Sequence, residues 1–148
     1  MYGRTESGPT TQAYFASTRV APMTDRIGQQ MHNLMRDRLN PQGQPAEPLY
    51  VLRIQLREQR QSLGIRRDET ASRANLIIGA QVHLIRRDGR KTLLKDVMST
   101  TASYNILDNQ FATVIAERDA RERALVVLAD DITRRLGLFF SDYDPAKS

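Results

Sequence analysis

Residues 74–90 read ANLIIGAQVHLIRRDGR, a period-two run that closes on a turn. Ala74, Leu76, Ile78, Ala80, Val82 and Leu84 fall on alternate positions and therefore on one face of a strand. The other face is mixed, with Arg73, Asn75, Gln81 and His83 beside Ile77 and Ile85. Arg87-Asp88-Gly89-Arg90 then supplies the Asp-Gly signal of a hairpin turn. A second strand is expected from about Thr92 to Tyr104, although its hydropathy does not settle which side faces in.

Upstream, Tyr50 to Arg57 alternates in the same way, with Leu52, Ile54 and Leu56 on one side and Arg53, Gln55 and Arg57 on the other. A polar loop holding Gly64 and Arg66-Arg67-Asp68 separates the two strands. Further upstream, Ile27, Met31, Leu34, Met35 and Leu39 recur at three- and four-residue steps and form the stripe of a helix. Thr24 or Asp25 caps that helix, and Asn40-Pro41 ends it. Tyr14 to Val20 is short and β-prone. Downstream, Phe111 to about Leu138 reads as a long helix burying Ala116, Ala120, Ala124, Val127, Leu128, Ile132 and Leu136.

The order is β-α-β-β-β-α. One-sided helices and strands bury their apolar surfaces most simply in two layers. The expected fold class is therefore α+β, a two-layer sandwich with two helices packed on one face of a four-stranded mixed sheet. Residues 1–13 are expected to form a flexible tether, 14–140 a single domain, and 141–148 a C-terminal tail. At 148 residues the chain is long enough to bury one core.

Composition removes several classes of chemistry. There is no cysteine, so disulfides, zinc–thiolate sites and cysteine nucleophiles are excluded. HExxH, GxGxxG and GxxxxGK[ST] are absent, and with them the sequence signals of a zinc hydrolase, a dinucleotide site and a P-loop. His32 and His83 have no carboxylate or serine at a diagnostic spacing, and both are expected to be structural or surface residues. Asp130 and Asp131 are adjacent helix positions about 100° apart, better read as i,i+4 partners of Arg134 and Arg135 than as a metal pair. No enzyme activity, cofactor or metal is expected. No apolar run approaches the roughly 20 residues that span a bilayer, and no basic-then-apolar export signal is visible. The sequence as it stands is expected to be soluble.

Net charge is +5, concentrated between Leu49 and Lys95, where eleven Lys and Arg face four Asp and Glu. Arg86, Arg87, Arg90 and Lys91 crowd the hairpin turn, and Arg66 and Arg67 sit in the preceding loop. Antiparallel strands put these two groups at opposite ends. They read either as solvated turns or as sites for phosphate, to which guanidinium groups make paired, charge-assisted hydrogen bonds. A basic nucleic-acid-binding module is the alternative reading. It lacks the βαββαβ order, the exposed aromatic pairs and the helix-turn-helix signature that would support it.

Several stretches resemble a known family. They are Asp25-Arg26-Ile27-Gly28-Gln29-Gln30, the helix ending LMRDRLNP, Tyr50-Val51-Leu52, LGIRRDETASRANL (63–76), SYNILDNQFAT (103–113) and ERDARERALVVLADDITRRL (117–136). In order and spacing they resemble alphaproteobacterial lipopolysaccharide-assembly lipoproteins, the LptE family, from about Tyr14 to Phe140. Tyr2-Gly3 is similar to the residues after the lipid-bearing cysteine of such proteins, a cysteine this sequence does not contain. The resemblance implies a non-enzymatic protein anchored by lipid to the periplasmic side of the outer membrane. Its partners would be the LptD β-barrel, which it plugs and helps assemble, and lipopolysaccharide, whose delivery to the cell surface it aids; nucleic acid is not among them. It also implies two helices on one side of a four-stranded sheet. Phosphate binding by Arg66, Arg67, Arg86, Arg87, Arg90 and Lys91, and contact of Arg53, Gln55, Arg57, Arg73 and Gln81 with either a hydrated barrel wall or water, are expectations from the residues themselves.

Overall fold

A computed structural model describes residues 10–65 and 72–147. The alternation of the central strand sets the architecture. Strand β3 (Ser72–Arg86) turns Ala74, Leu76, Ile78, Ala80, Val82 and Leu84 inward, each at most 1% exposed. It pairs antiparallel with β2 (Tyr50–Ile65) on one side and β4 (Lys91–Ile106) on the other. The three-residue strand β1 (Thr18–Val20) runs parallel to β2, giving a four-stranded mixed sheet in the order β1-β2-β3-β4.

Helix α2 (Arg26–Leu39) links the two parallel strands, as a crossover between parallel neighbours requires. Asp25 is its cap, its carboxylate accepting from Gly28 N at 3.0 Å. Gly28 is needed there: a Cβ would collide with that capping carboxylate and would stand 2.7 Å from Met23 Cβ. Helix α3 (Gln110–Ser141) starts on the Asn109 side chain, which accepts from Phe111 N and Ala112 N. Both helices lie on the same side of the sheet, in the expected two layers.

Length explains how the core is distributed. At about 1.5 Å per residue α3 is about 48 Å long, and β3 at about 3.3 Å per residue is about 50 Å. One helix therefore runs the whole length of the β3–β4 hairpin. Helix α2 reaches only about 21 Å and covers less than half of β2. The inward positions of β2 reflect this: Leu52 and Ile54 are buried, Leu56 is partly buried, and Glu58 and Arg60 replace apolar residues farther along. On α3 the buried stripe is Ala120, Ala124, Leu125, Leu128, Ala129, Ile132, Leu136 and Phe140. Val127, expected inside, is 45% exposed, because α3 lies beside α2 on the sheet and turns Leu125 and Ala129 into the core instead.

The β-prone stretch from Tyr14 to Val20 divides. Its first half belongs to helix α1 (Thr11–Ala16), capped by Thr10 Oγ1 accepting from Ala13 N; only Thr18–Val20 is strand. Two contacts favour the helical turn. Tyr14 stacks on Phe140 at 4.7 Å between ring centroids, and Asn40 donates from Nδ2 to both Phe15 O and Thr18 O at 3.1 Å. Strand β2 also continues beyond the expected Arg57, through Gly64 to Ile65, with an irregularity in its pairing between Ser62 and Ile65. No helix among the described residues is long and apolar enough to cross a membrane.

Candidate functional site

The last paired residues of the β3–β4 hairpin are Arg86 and Lys91. The chain between them, Arg87 to Arg90, is a four-residue loop rather than a two-residue turn. Gly89 takes φ 79° and Arg90 φ 55°. Two consecutive left-handed residues reverse the chain sharply and leave Arg87, Arg90 and Lys91 exposed. Arg87 is steadied at its base, its N donating to Leu49 O at 2.9 Å. Four of the six expected phosphate ligands, Arg86, Arg87, Arg90 and Lys91, thus share one end of the molecule. Arg66 and Arg67 lie outside the described residues. The flanking pair Ile65 and Ser72 lies at the end of β3 opposite Arg86.

A cavity of about 480 Å³ adjoins the hairpin, with Tyr14, Leu49, Tyr50, Arg86, Arg87 and Asp88 in its lining. It opens beside an aromatic cluster in which Tyr14, Tyr50, Phe140 and Tyr143 approach within 6.0 Å of one another, centroid to centroid. Burial, and then a hydrogen bond with Tyr143, push the Tyr50 hydroxyl well above the ordinary tyrosine range, against the opposing charge of Arg86. Helix α1 brings the chain into the fold at this same end.

The opposite end of the inner sheet face is polar. Arg121 of α3 forks onto Glu58 of β2, with Nε to Oε1 at 2.7 Å and Nη2 to Oε2 at 2.9 Å. Glu117 accepts from Arg121 at 3.1 Å and from the Tyr104 hydroxyl at 2.9 Å, and pairs with Arg60 at 2.6 Å. Burial would raise the Glu117 carboxyl, but these hydrogen bonds and cations outweigh it and hold the group below its ordinary value. Every charge in this network has an opposite partner, so it reads as a clamp between β2, β4 and α3.

The outward sheet face carries the side chains expected from alternation: Arg53, Gln55 and Arg57 on β2 and Arg73, Gln81 and His83 on β3. Two cations missed in the sequence, Arg19 and Lys95, join them. For Lys95 the available signal was its register with the readable strand β3. His32, on α2, lies on the other side of the sheet, its Nδ1 3.2 Å from Ala21 O. The helix ion pairs also differ from expectation. Asp130 bonds Arg38 of α2 at 2.8 Å, Asp131 bonds Arg134 at 2.9 Å, and Arg135 reaches across to Asp96 of β4 at 3.0 Å. Partners on neighbouring elements displace two i,i+4 pairs. No group of three His, Asp or Glu suited to a metal ion occurs among the described residues.

A family model, LptE, described as lipopolysaccharide-assembly, matches residues 13–136. No curated protein matches the chain by sequence. Among solved structures, a putative lipoprotein from Caulobacter crescentus CB15 superimposes with a TM-score of 0.76 at 19% identity, covering 90% of this chain and 97% of its own. The rare lipoprotein B from Shewanella oneidensis gives 0.67 at 13% identity, with 84% and 95% covered. A minor lipoprotein from Acinetobacter baumannii gives 0.63 at 20% identity, with 82% and 88% covered. At these identities the structures establish a shared fold.

Proposed function

Because the chain belongs to the LptE lipopolysaccharide-assembly family, we propose that it is a non-enzymatic lipoprotein that plugs and helps assemble the outer-membrane LptD barrel and aids lipopolysaccharide delivery to the cell surface. It works from the periplasmic side of the outer membrane, held there by an N-terminal lipid anchor. The family match over residues 13–136 carries this reading.

The physical features agree with it. A plug must hold its shape inside a wet lumen. This chain builds one continuous core under a full-length helix and turns a polar sheet face outward. Lipopolysaccharide bears phosphates, and Arg86, Arg87, Arg90 and Lys91 gather cations at one end of the body, where α1 brings the chain in. Exposed guanidinium and ammonium groups bind phosphate by charge-assisted hydrogen bonds and need no enclosing pocket. Arg66 and Arg67 are proposed as a second phosphate-binding group.

The test is isolation of the full precursor's product from outer membranes under mild detergent, with identification of its companions. A large β-barrel is expected among them. Recovery from the cytosol without a barrel would overturn the reading. The phosphate role is tested separately with Arg87→Ala/Arg90→Ala/Lys91→Ala: binding to lipopolysaccharide falls, and binding to its dephosphorylated form is weak before and after the change.

A further inference from the structure

The described strands contain only two carboxylates, Glu58 and Asp96, and register turns both inward, opposite Ile78 and Val82. There they are taken by Arg121 and Arg135 of α3. The outward positions carry Arg19, Arg53, Arg57, Arg73 and Lys95, and no acid. Arg53, His83 and Lys95 form one rung across three strands, so two cations flank an imidazole at the spacing of cross-strand neighbours.

This differs from the exposed surface of α3. There, charges are interleaved and answered locally, Arg123 by Asp119 at 3.0 Å and Arg134 by Asp131 at 2.9 Å. A surface meant only for water gains from such mixing, and like charges left together on one face repel. None of the five outward cations makes a salt bridge or side-chain hydrogen bond with the described residues. In the middle of the face, Gly79 leaves a notch of about 300 Å³ walled by Gln55, Arg57, Gln81 and Val97. Val97 is 69% exposed there.

We propose that this acid-free sheet face is the surface on which the chain docks against its protein partner, and that the facing wall of the partner is lined with carboxylates, one of them seated in the Gly79 notch beside Arg57. The inference rests on the barrel-plug reading, decides for the barrel wall over water at this face, and adds the charge of the wall. Charge complementarity fixes the orientation of the plug and suppresses wrong placements. The amides of Gln55 and Gln81 and the guanidinium of Arg57 supply donors for a carboxylate that enters the notch.

The experiment uses the full precursor in cells that make the barrel. A photocrosslinking residue is placed at Gln59, exposed on the sheet face outside the notch, or at Val127 on the helix face. The barrel adduct is expected from Gln59. It falls at least about tenfold with Arg53→Glu/Arg57→Glu and survives Arg53→Lys/Arg57→Lys. Thermal unfolding of the purified variants checks that they fold. Gly79→Val is a second probe, because a Cβ at Gly79 meets nothing nearer than Met98 O at 3.8 Å, so the fold is kept while the notch is filled; its adduct also falls. Barrel adducts from Val127 alone overturn the inference and leave the plug reading standing. Sheet-face adducts to lipopolysaccharide instead of protein overturn it as well. Absence of barrel adducts from both faces, with no barrel co-purifying, overturns both.

Discussion

Arg121 meets Glu58 in a two-pronged contact, 2.7 and 2.9 Å, that ties the middle of the longest helix to the stretch of β2 that α2 leaves uncovered. The two side chains are 21% and 25% exposed, so the pair is screened by solvent only in part. Its removal from one side leaves a half-buried charge without its partner. Arg121→Met is expected to lower stability by about 1–3 kcal/mol, and Glu58→Gln by less, because the amide keeps one hydrogen bond. A double-mutant cycle by denaturant titration should give a coupling of about 1 kcal/mol or more; additive losses would show that the contact is incidental.

The same network makes stability depend on acid. Glu117 is held below its ordinary value of 4.5 by Tyr104, Arg121 and Arg60, which outweigh the effect of burial. A carboxyl whose folded value is lowered contributes stability that is complete above its unfolded value and is lost as the pH falls through the folded one. Unfolding free energy should therefore decline on acidification below about 4.5. Glu117→Gln should flatten that decline while lowering stability at neutral pH. Tyr50 acts with the opposite sign. Burial and the Tyr143 hydrogen bond raise its hydroxyl, so its contribution is complete below 10.0 and disappears as the pH rises through the higher folded value. Tyr50→Phe should weaken the alkaline loss.

Gly28 reverses a general rule. In an exposed helix interior Gly→Ala stabilises by about 1 kcal/mol. Here the added methyl would strike the capping carboxylate of Asp25 and stand 2.7 Å from Met23 Cβ. Relief requires breaking the cap or moving Met23, which packs on the core. Gly28→Ala is expected to destabilise by about 1–3 kcal/mol. A melting temperature at or above the parent's would show that the first turn of α2 relaxes freely.

Contrast in hydropathy decided which elements could be read from the sequence. Strand β3 separates apolar from polar side chains cleanly enough that its six inward residues were all identifiable. Strand β4 was not, because Asp96 and Thr100 point inward while Val97 points outward. That inversion comes from Arg135, which satisfies Asp96 from another element and has no trace in the local pattern. The strand-like Tyr14 and Phe15 became helix for a similar reason: their partners, Phe140 and Asn40, are distant in sequence. The hairpin cations were legible because an Asp-Gly turn fixes its own location. On the outer face alternation gave Arg53, Arg57 and Arg73, but not Arg19 and Lys95, whose facing follows only from their register with β2 and β3.

The hairpin tip allows a single chemical change to be read at two backbone states. Arg90 has φ 55°, where a Cβ crowds the backbone, while Arg87 sits at φ −61°. Left-handed geometry costs a non-glycine residue about 1 kcal/mol, and glycine avoids that cost while enlarging the entropy lost on folding by about 0.4–1 kcal/mol. Arg90→Gly should therefore leave stability unchanged or raise it slightly. Arg87→Gly has no strain to relieve and should lower it by about 0.5–1 kcal/mol. If the tip grips phosphate, both variants bind lipopolysaccharide less tightly, so at Arg90 stability and binding move independently. Equal loss of stability at both positions would show that the left-handed arginine is unstrained. Undiminished binding in both would remove the hairpin from the phosphate site.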